Sequence, residues 1–185
     1  MIVKTFLATA AIAALPMAAA SRCAPESQAS AGSAGPVCSP SSKTRASLKL
    51  NREQASNAVA VIRVAADMGL PEHAAVIAIA TTLQESDLLT NPPGDNDGGR
   101  AKGIFQQHAT ASGKGEWGTI DQALDAASAA TSFYEHLQKV KGWQGLPLTV
   151  AAQKVQRSAD GSLYAQHEDR AARIVAKLTT CKEAS

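Results

Sequence analysis

The chain has 185 residues and a formal net charge of +2, with its basic residues scattered along its length. That balance gives no argument for nucleic-acid binding and at most a mild attraction to an acidic polymer. Composition divides the chain: from Ser47 onward lies a stretch of about 135 residues with the make-up of a globular domain, enough for one core.

Residues 1–20 begin with a short segment carrying Lys4, followed by an apolar run from Phe6 to Ala20 that is broken by Pro16. Ala18 and Ala20 form an A-x-A cleavage pattern, so this stretch is expected to be a secretory signal peptide. It is shorter than the roughly twenty apolar residues a membrane span needs. Cys23 raises lipid anchoring, but Arg22 stands where a lipobox has a small residue, so simple export is the favoured reading. Residues 21–46 are rich in Ser, Ala, Gly and Pro and bury too little apolar surface to offset their ordering entropy; they are expected to be a disordered linker. Three cysteines, Cys23, Cys38 and Cys181, remain after export. An oxidising compartment favours one pair with one thiol left over. Both Cys38–Cys181 and Cys23–Cys38 are compatible with the sequence, and the spacing has no metal-site character.

From residue 47 to 185 the pattern is that of an all-α domain of about five or six helices. Asn51 is an N-cap with Gln54 at the capping-box position and Leu50 placed to staple. Ala55, Ala58, Val59, Ile62 and Ala65 then keep helical spacing up to Gly69. Pro71 opens a second helix, apolar over much of its circumference and therefore expected to be central; it ends before Pro92-Pro93. Thr119, with Gln122 three positions on, is expected to cap a third long helix running to Gly142. Thr149 is expected to cap another, reaching Gln156, and Ser162 to begin the last. Nothing alternates with period two, apart from a Gly98–Gln106 segment that could form a small hairpin or loop after the second helix.

Glu85 lies near the end of that second helix. A loop rich in Pro, Gly and Asp follows, and then Gly103-Ile104-Phe105-Gln106-Gln107, which can return amide side chains over the same groove. A carboxyl on a rigid element, desolvated by apolar neighbours, has its pKa raised and can act as a general acid. The plain reading is a solvated acid near a helix end, since most acidic residues are exposed. Ordinary glycoside hydrolysis needs two carboxyl groups. Asp87, two residues on along a helix, points to another face, and nothing fixes Asp95 or Asp97 opposite Glu85. A reaction in which one carboxyl serves first as acid and then as base asks less of this sequence. The Asp95–Gly99 run resembles a cation loop but lacks the EF-hand ligand set, since Gln106 falls where that loop needs glutamate. His73, His108, His136 and His167 offer no close ligand pair.

The apolar helix ending in Glu85-Ser86, the loop, and Gly103-Ile104-Phe105-Gln106 resemble the soluble lytic transglycosylase group of the lysozyme-like superfamily. The A-A-x-x-F-Y-x-x-L run from Ala129 to Leu137 is similar to that family's packed third helix. The domain as a whole resembles lysozyme-like domains of exported actinobacterial proteins. The resemblance implies a catalytic acid/base at Glu85 and an orienting residue at Ser86, with Gln106 lining the sugar groove and Phe105 walling it. Gly103, Gln107 and Tyr164 complete the substrate-binding set. The implied reaction cleaves between N-acetylmuramic acid and N-acetylglucosamine, without cofactor or metal. The protein would be secreted or wall-associated, and would act as a monomer on glycan strands. The family's Ala-Tyr-Asn element has no direct counterpart: the corresponding residues read Ala152-Gln153-Lys154-Val155-Gln156. Gln156 could stand in for the asparagine, or Tyr164 could supply the hydroxyl. An alternative from another class is a lysozyme-like module that binds glycan or serves wall assembly without cutting.

Overall fold

A computed structural model describes residues 37–93 and 101–180. Among them are seven α-helices and no strand: α1 (Ser42–Leu48), α2 (Arg52–Asp67), α3 (Glu72–Ser86), α4 (Ile120–Leu124), α5 (Ala126–Lys139), α6 (Leu148–Gln156) and α7 (Glu168–Thr179). Short 3-10 turns at Trp143–Gly145 and Gly161–His167 connect the last helices. None of the described helices is long and apolar enough to cross a membrane. The expected signal peptide, Cys23, the loop aspartates Asp95 and Asp97, and Cys181 lie outside the described residues.

α3 is the central element, packed against α2, α5, α6, α7 and the Gly161–His167 turn. Its apolar residues surround it, with Ile77, Ala78, Ile79 and Ala80 all fully buried. Thr81 and Thr82 are buried without penalty because their hydroxyls donate back to the carbonyls of Ile77 and Ile79, at 2.8 and 2.9 Å. Phe105, Phe133, Tyr134 and Tyr164 supply the largest aromatic part of the core.

The capping box at the start of α2 forms as expected: Asn51 Oδ1 accepts from the Gln54 N–H at 2.9 Å, and Gln54 Oε1 accepts from the Asn51 N–H at 2.9 Å. Elsewhere the boundaries move, each time for a local reason. The expected third helix is two helices, because Asp125 takes an extended conformation (φ −85°, ψ 117°) and its side chain caps the second by accepting from the Ser128 N–H. α6 begins at Leu148 with Pro147 ahead of it, so Thr149 lies in the first turn and is not the cap. The last helix begins at Glu168, since Asp160 caps a 3-10 turn first. α1 falls inside the stretch expected to be linker; Ser41 caps it, and its Leu48 is buried. In place of a hairpin, the described part of the segment after α3 has a single antiparallel bridge, Lys102 to Gln107.

Candidate active site

α3 ends in a turn that few sequences would adopt unaided. Asp87 and Leu88 both have positive φ, at 50° and 64°, a conformation that costs a non-glycine residue about 1 kcal/mol or more. Two polar side chains of α2 hold it there. Gln54 Nε2 donates to the Asp87 carbonyl and to its carboxylate, both at 2.8 Å, and Asn57 Nδ2 donates to the Leu88 carbonyl at 2.8 Å. Arg170 of α7 adds an ion pair to Asp87 at 2.9 Å. Asp87 is thereby occupied as a structural anchor, and Glu85 sits at a rigid helix end.

The returning segment is fixed just as firmly. Lys102 and Gln107 exchange backbone hydrogen bonds at 3.0 and 2.9 Å, closing a four-residue turn from Gly103 to Gln106. Gly103 has φ +67°, and a Cβ there would stand 1.7 Å from the Ala123 carbonyl oxygen, so no side chain fits. Ile104 and Phe105 enter the core, where the Phe105 ring stacks on Phe133 with centroids 4.6 Å apart. Ser86 Oγ donates to the Ile104 carbonyl at 2.8 Å, tying the end of α3 to this turn.

Between the two elements lies a cleft of about 460 Å³, lined by Glu85, Gln106, Gln107, His108, Glu116, Trp117, Gln156, Arg157 and Ser158. Of the residues expected to bind substrate, Gln106 and Gln107 line this cleft. Gln107 is nearly buried; its Nε2 donates to the Ala129 carbonyl at 3.3 Å, and among the described residues its Oε1 meets no donor. The Phe105 ring does not wall the groove, since it is fully buried. Gly103 and Ser86 act through the backbone turn and its tether, and neither lines the cleft.

Tyr164 comes from the 3-10 turn after α6, and its hydroxyl donates to Glu85 Oε1 at 2.8 Å. Two neighbours grip the preceding residue: Gln166 Nε2 donates to Gln84 Oε1 at 3.0 Å, and His167 Nε2 lies 3.1 Å from the same oxygen. Gln156, at the end of α6, donates to the Phe105 carbonyl at 2.8 Å and sits beside the Glu85 carboxyl. Burial raises the Glu85 pKa above the ordinary carboxylate value, while donation from Tyr164, and to a lesser extent from Gln156, pulls it partly back. Burial also pushes the Tyr164 phenol well above its usual value, so it stays a donor throughout the physiological range.

No pattern in the sequence marks Glu116, Trp117, Arg157 or Ser158 as cleft residues. Glu116 accepts from both guanidinium nitrogens of Arg157, at 2.8 and 2.7 Å, and lies 3.4 Å from His136 Nε2. Trp117 packs on the His136 ring, centroids 4.3 Å apart. Glu116 and Trp117 lie on a loop with no periodicity, where the only hint was an isolated aromatic between two glycines, and Arg157 ends α6. Among the described residues no group of His, Cys, Asp and Glu could hold a metal ion. No protein-family model matches this chain, and neither does any curated protein sequence.

Proposed function

We propose that the chain is an exported peptidoglycan-cleaving lytic transglycosylase, in which Glu85 alone serves as acid and then base on the bond between N-acetylmuramic acid and N-acetylglucosamine. The observation that carries this is the state of the two carboxyls in the cleft. Glu116 is held in a bidentate ion pair with Arg157, whereas Glu85 makes no ion pair among the described residues and has its pKa raised by burial. A carboxyl held partly desolvated is suited to give a proton near neutral pH and take one back.

In this reading protonated Glu85 gives its proton to the bridging oxygen as the bond to the muramyl anomeric carbon breaks. The muramyl 6-hydroxyl then attacks that carbon, and its proton passes to the Glu85 carboxylate. The product is a 1,6-anhydro end, and the acid is restored without water being consumed. Tyr164 and Gln156 hold the carboxyl in place and share the part that the family's Ala-Tyr-Asn element plays. The lysozyme-like assignment of the fold belongs to the same proposal, supported by the Glu85-Ser86 helix end facing the Gly103–Gln106 turn.

Hydrolysis is a second reading, favoured by one observation: a second carboxyl, Glu116, lines the same cleft and is held in place by Arg157. Mass analysis of the soluble products from insoluble peptidoglycan separates the two. Anhydro ends support the transglycosylase, and reducing ends support a two-carboxyl hydrolase. Binding with no soluble product leaves a glycan-binding module and sinks both.

A further inference from the structure

Trp117 lies on the rim of the cleft and also lines a second groove of about 430 Å³, together with Gln122, Thr131, Ser132 and Glu135. Trp117 and Glu116 are common to both cavities, so the indole stands at the border where the Glu85 cleft continues away from the reacting group. It is only partly buried, and the His136 imidazole covers one side of the ring at a centroid distance of 4.3 Å.

The segment that carries it is braced from three directions. The Thr110 N–H donates to the Gly118 carbonyl at 3.1 Å, closing the base of the loop. His136 of α5 supports the indole and approaches Glu116 at 3.4 Å. Arg157 grips Glu116 with both nitrogens from the C-terminal end of α6, where its own backbone has φ +53°. A loop aromatic left partly exposed, yet fixed in orientation by two neighbouring helices, has already lost the mobility that a ligand would otherwise have to freeze.

We propose that Trp117 is a stacking platform for a pyranose ring of a β-linked N-acetylhexosamine strand, holding the substrate one step along the groove from Glu85. The C–H face of such a ring is apolar and weakly electropositive, and it packs on the electron-rich face of an indole. The hydroxyl, amide and carboxylate groups of the second groove then meet the sugar's polar edge. This inference rests on the glycan-cleaving reading and sharpens it, because it makes a substrate longer than the scissile disaccharide the preferred one.

The test uses the N-acetylglucosamine hexamer as probe and the full chain carrying Glu85→Gln, so that binding is read without turnover. The chain has two tryptophans, and the other, Trp143, is buried and stacked on His73, so a sugar-induced change in fluorescence reports on Trp117. The hexamer is expected to shift the parent's emission; titration calorimetry then compares parent and variants, and adding Trp117→Ala is expected to weaken the affinity about tenfold or more. Trp117→Tyr, which keeps an aromatic face, is expected to restore affinity to within about threefold of the parent. Circular dichroism melts show whether the alanine variant is folded; if it is not, the parent's emission shift and the tyrosine variant's affinity decide. An alanine variant that binds like its parent, or a parent that does not bind the hexamer at millimolar concentration, overturns the platform. Failure of the cleavage proposal appears separately, as absence of soluble products from the chain with Glu85 intact, and leaves the hexamer comparison readable.

Discussion

The Tyr164 hydroxyl donates a 2.8 Å hydrogen bond to Glu85 Oε1 across 79 residues of sequence. This contact joins the turn after α6 to the end of α3 and sets the balance on the carboxyl. Burial favours its protonated form, and the phenol favours its ionised form.

Tyr164→Phe removes the donor and leaves the ring. The carboxylate loses stabilisation, so the Glu85 pKa rises further. The alkaline limb of the activity profile, where the acid loses its proton, is therefore expected to move to higher pH. The rate at the optimum is expected to fall roughly tenfold, as a positioned acid becomes less well held. Rates of peptidoglycan solubilisation across pH check both; a limb that stays in place, or moves down, contradicts the assignment.

The raised Glu85 pKa also has a consequence for stability. A carboxyl that binds its proton more tightly in the folded chain than in the unfolded one loses stability as pH rises from the unfolded value of about 4.5 through the folded value. Above that window the folded protein holds a partly desolvated charge. Glu85→Gln is therefore expected to raise the melting temperature near pH 7 and to have little effect near pH 4. Equal shifts at both pH values would mean that the carboxyl is not under burial stress.

Gly103 is required by space and by backbone conformation together. Gly103→Ala would set a Cβ against the Ala123 carbonyl at 1.7 Å while holding φ at +67°. The variant is expected to lose about 3 kcal/mol or more of unfolding free energy, measured by denaturant titration. A loss under about 1 kcal/mol would show that the Gly103–Gln106 turn can move.

Cys38 is disulfide-bonded, and its N–H donates to the Leu178 carbonyl at 3.0 Å. Since Cys181 follows Leu178 closely, the bridge is expected to be Cys38–Cys181. It would staple the start of the domain to the end of α7, contributing about 4 kcal/mol by restricting the unfolded chain. Non-reducing peptide mapping should recover those two peptides linked; a linkage to Cys23 contradicts the pairing.

Features governed by residues close in sequence were legible before the structure. The Asn51–Gln54 capping box, the buried character of α3 and the all-helical class follow from local spacing. The break at Asp125 was hidden because apolar periodicity continues across it, and only the cap it offers to Ser128 marks the new start. Glu85, Gln106 and Gln107 could be chosen from a motif, but Phe105 sits inside the core, since motif spacing says nothing about which way a ring points. The grip of Arg157 on Glu116 and the seat of Trp117 on His136 join residues from separate loops and helices, and no periodicity carries such pairs.

Glu85 is proposed as both proton donor and acceptor for an intramolecular cleavage. The most direct test is to incubate insoluble peptidoglycan with the intact chain and with Glu85→Gln, and to identify the released fragments by mass. The intact chain is expected to release 1,6-anhydromuropeptides, and a folded Glu85→Gln variant that still pellets with the glycan to release them at least a thousandfold slower, a loss on the scale of removing an acid/base group. Fragments released at similar rates by both proteins would contradict that role.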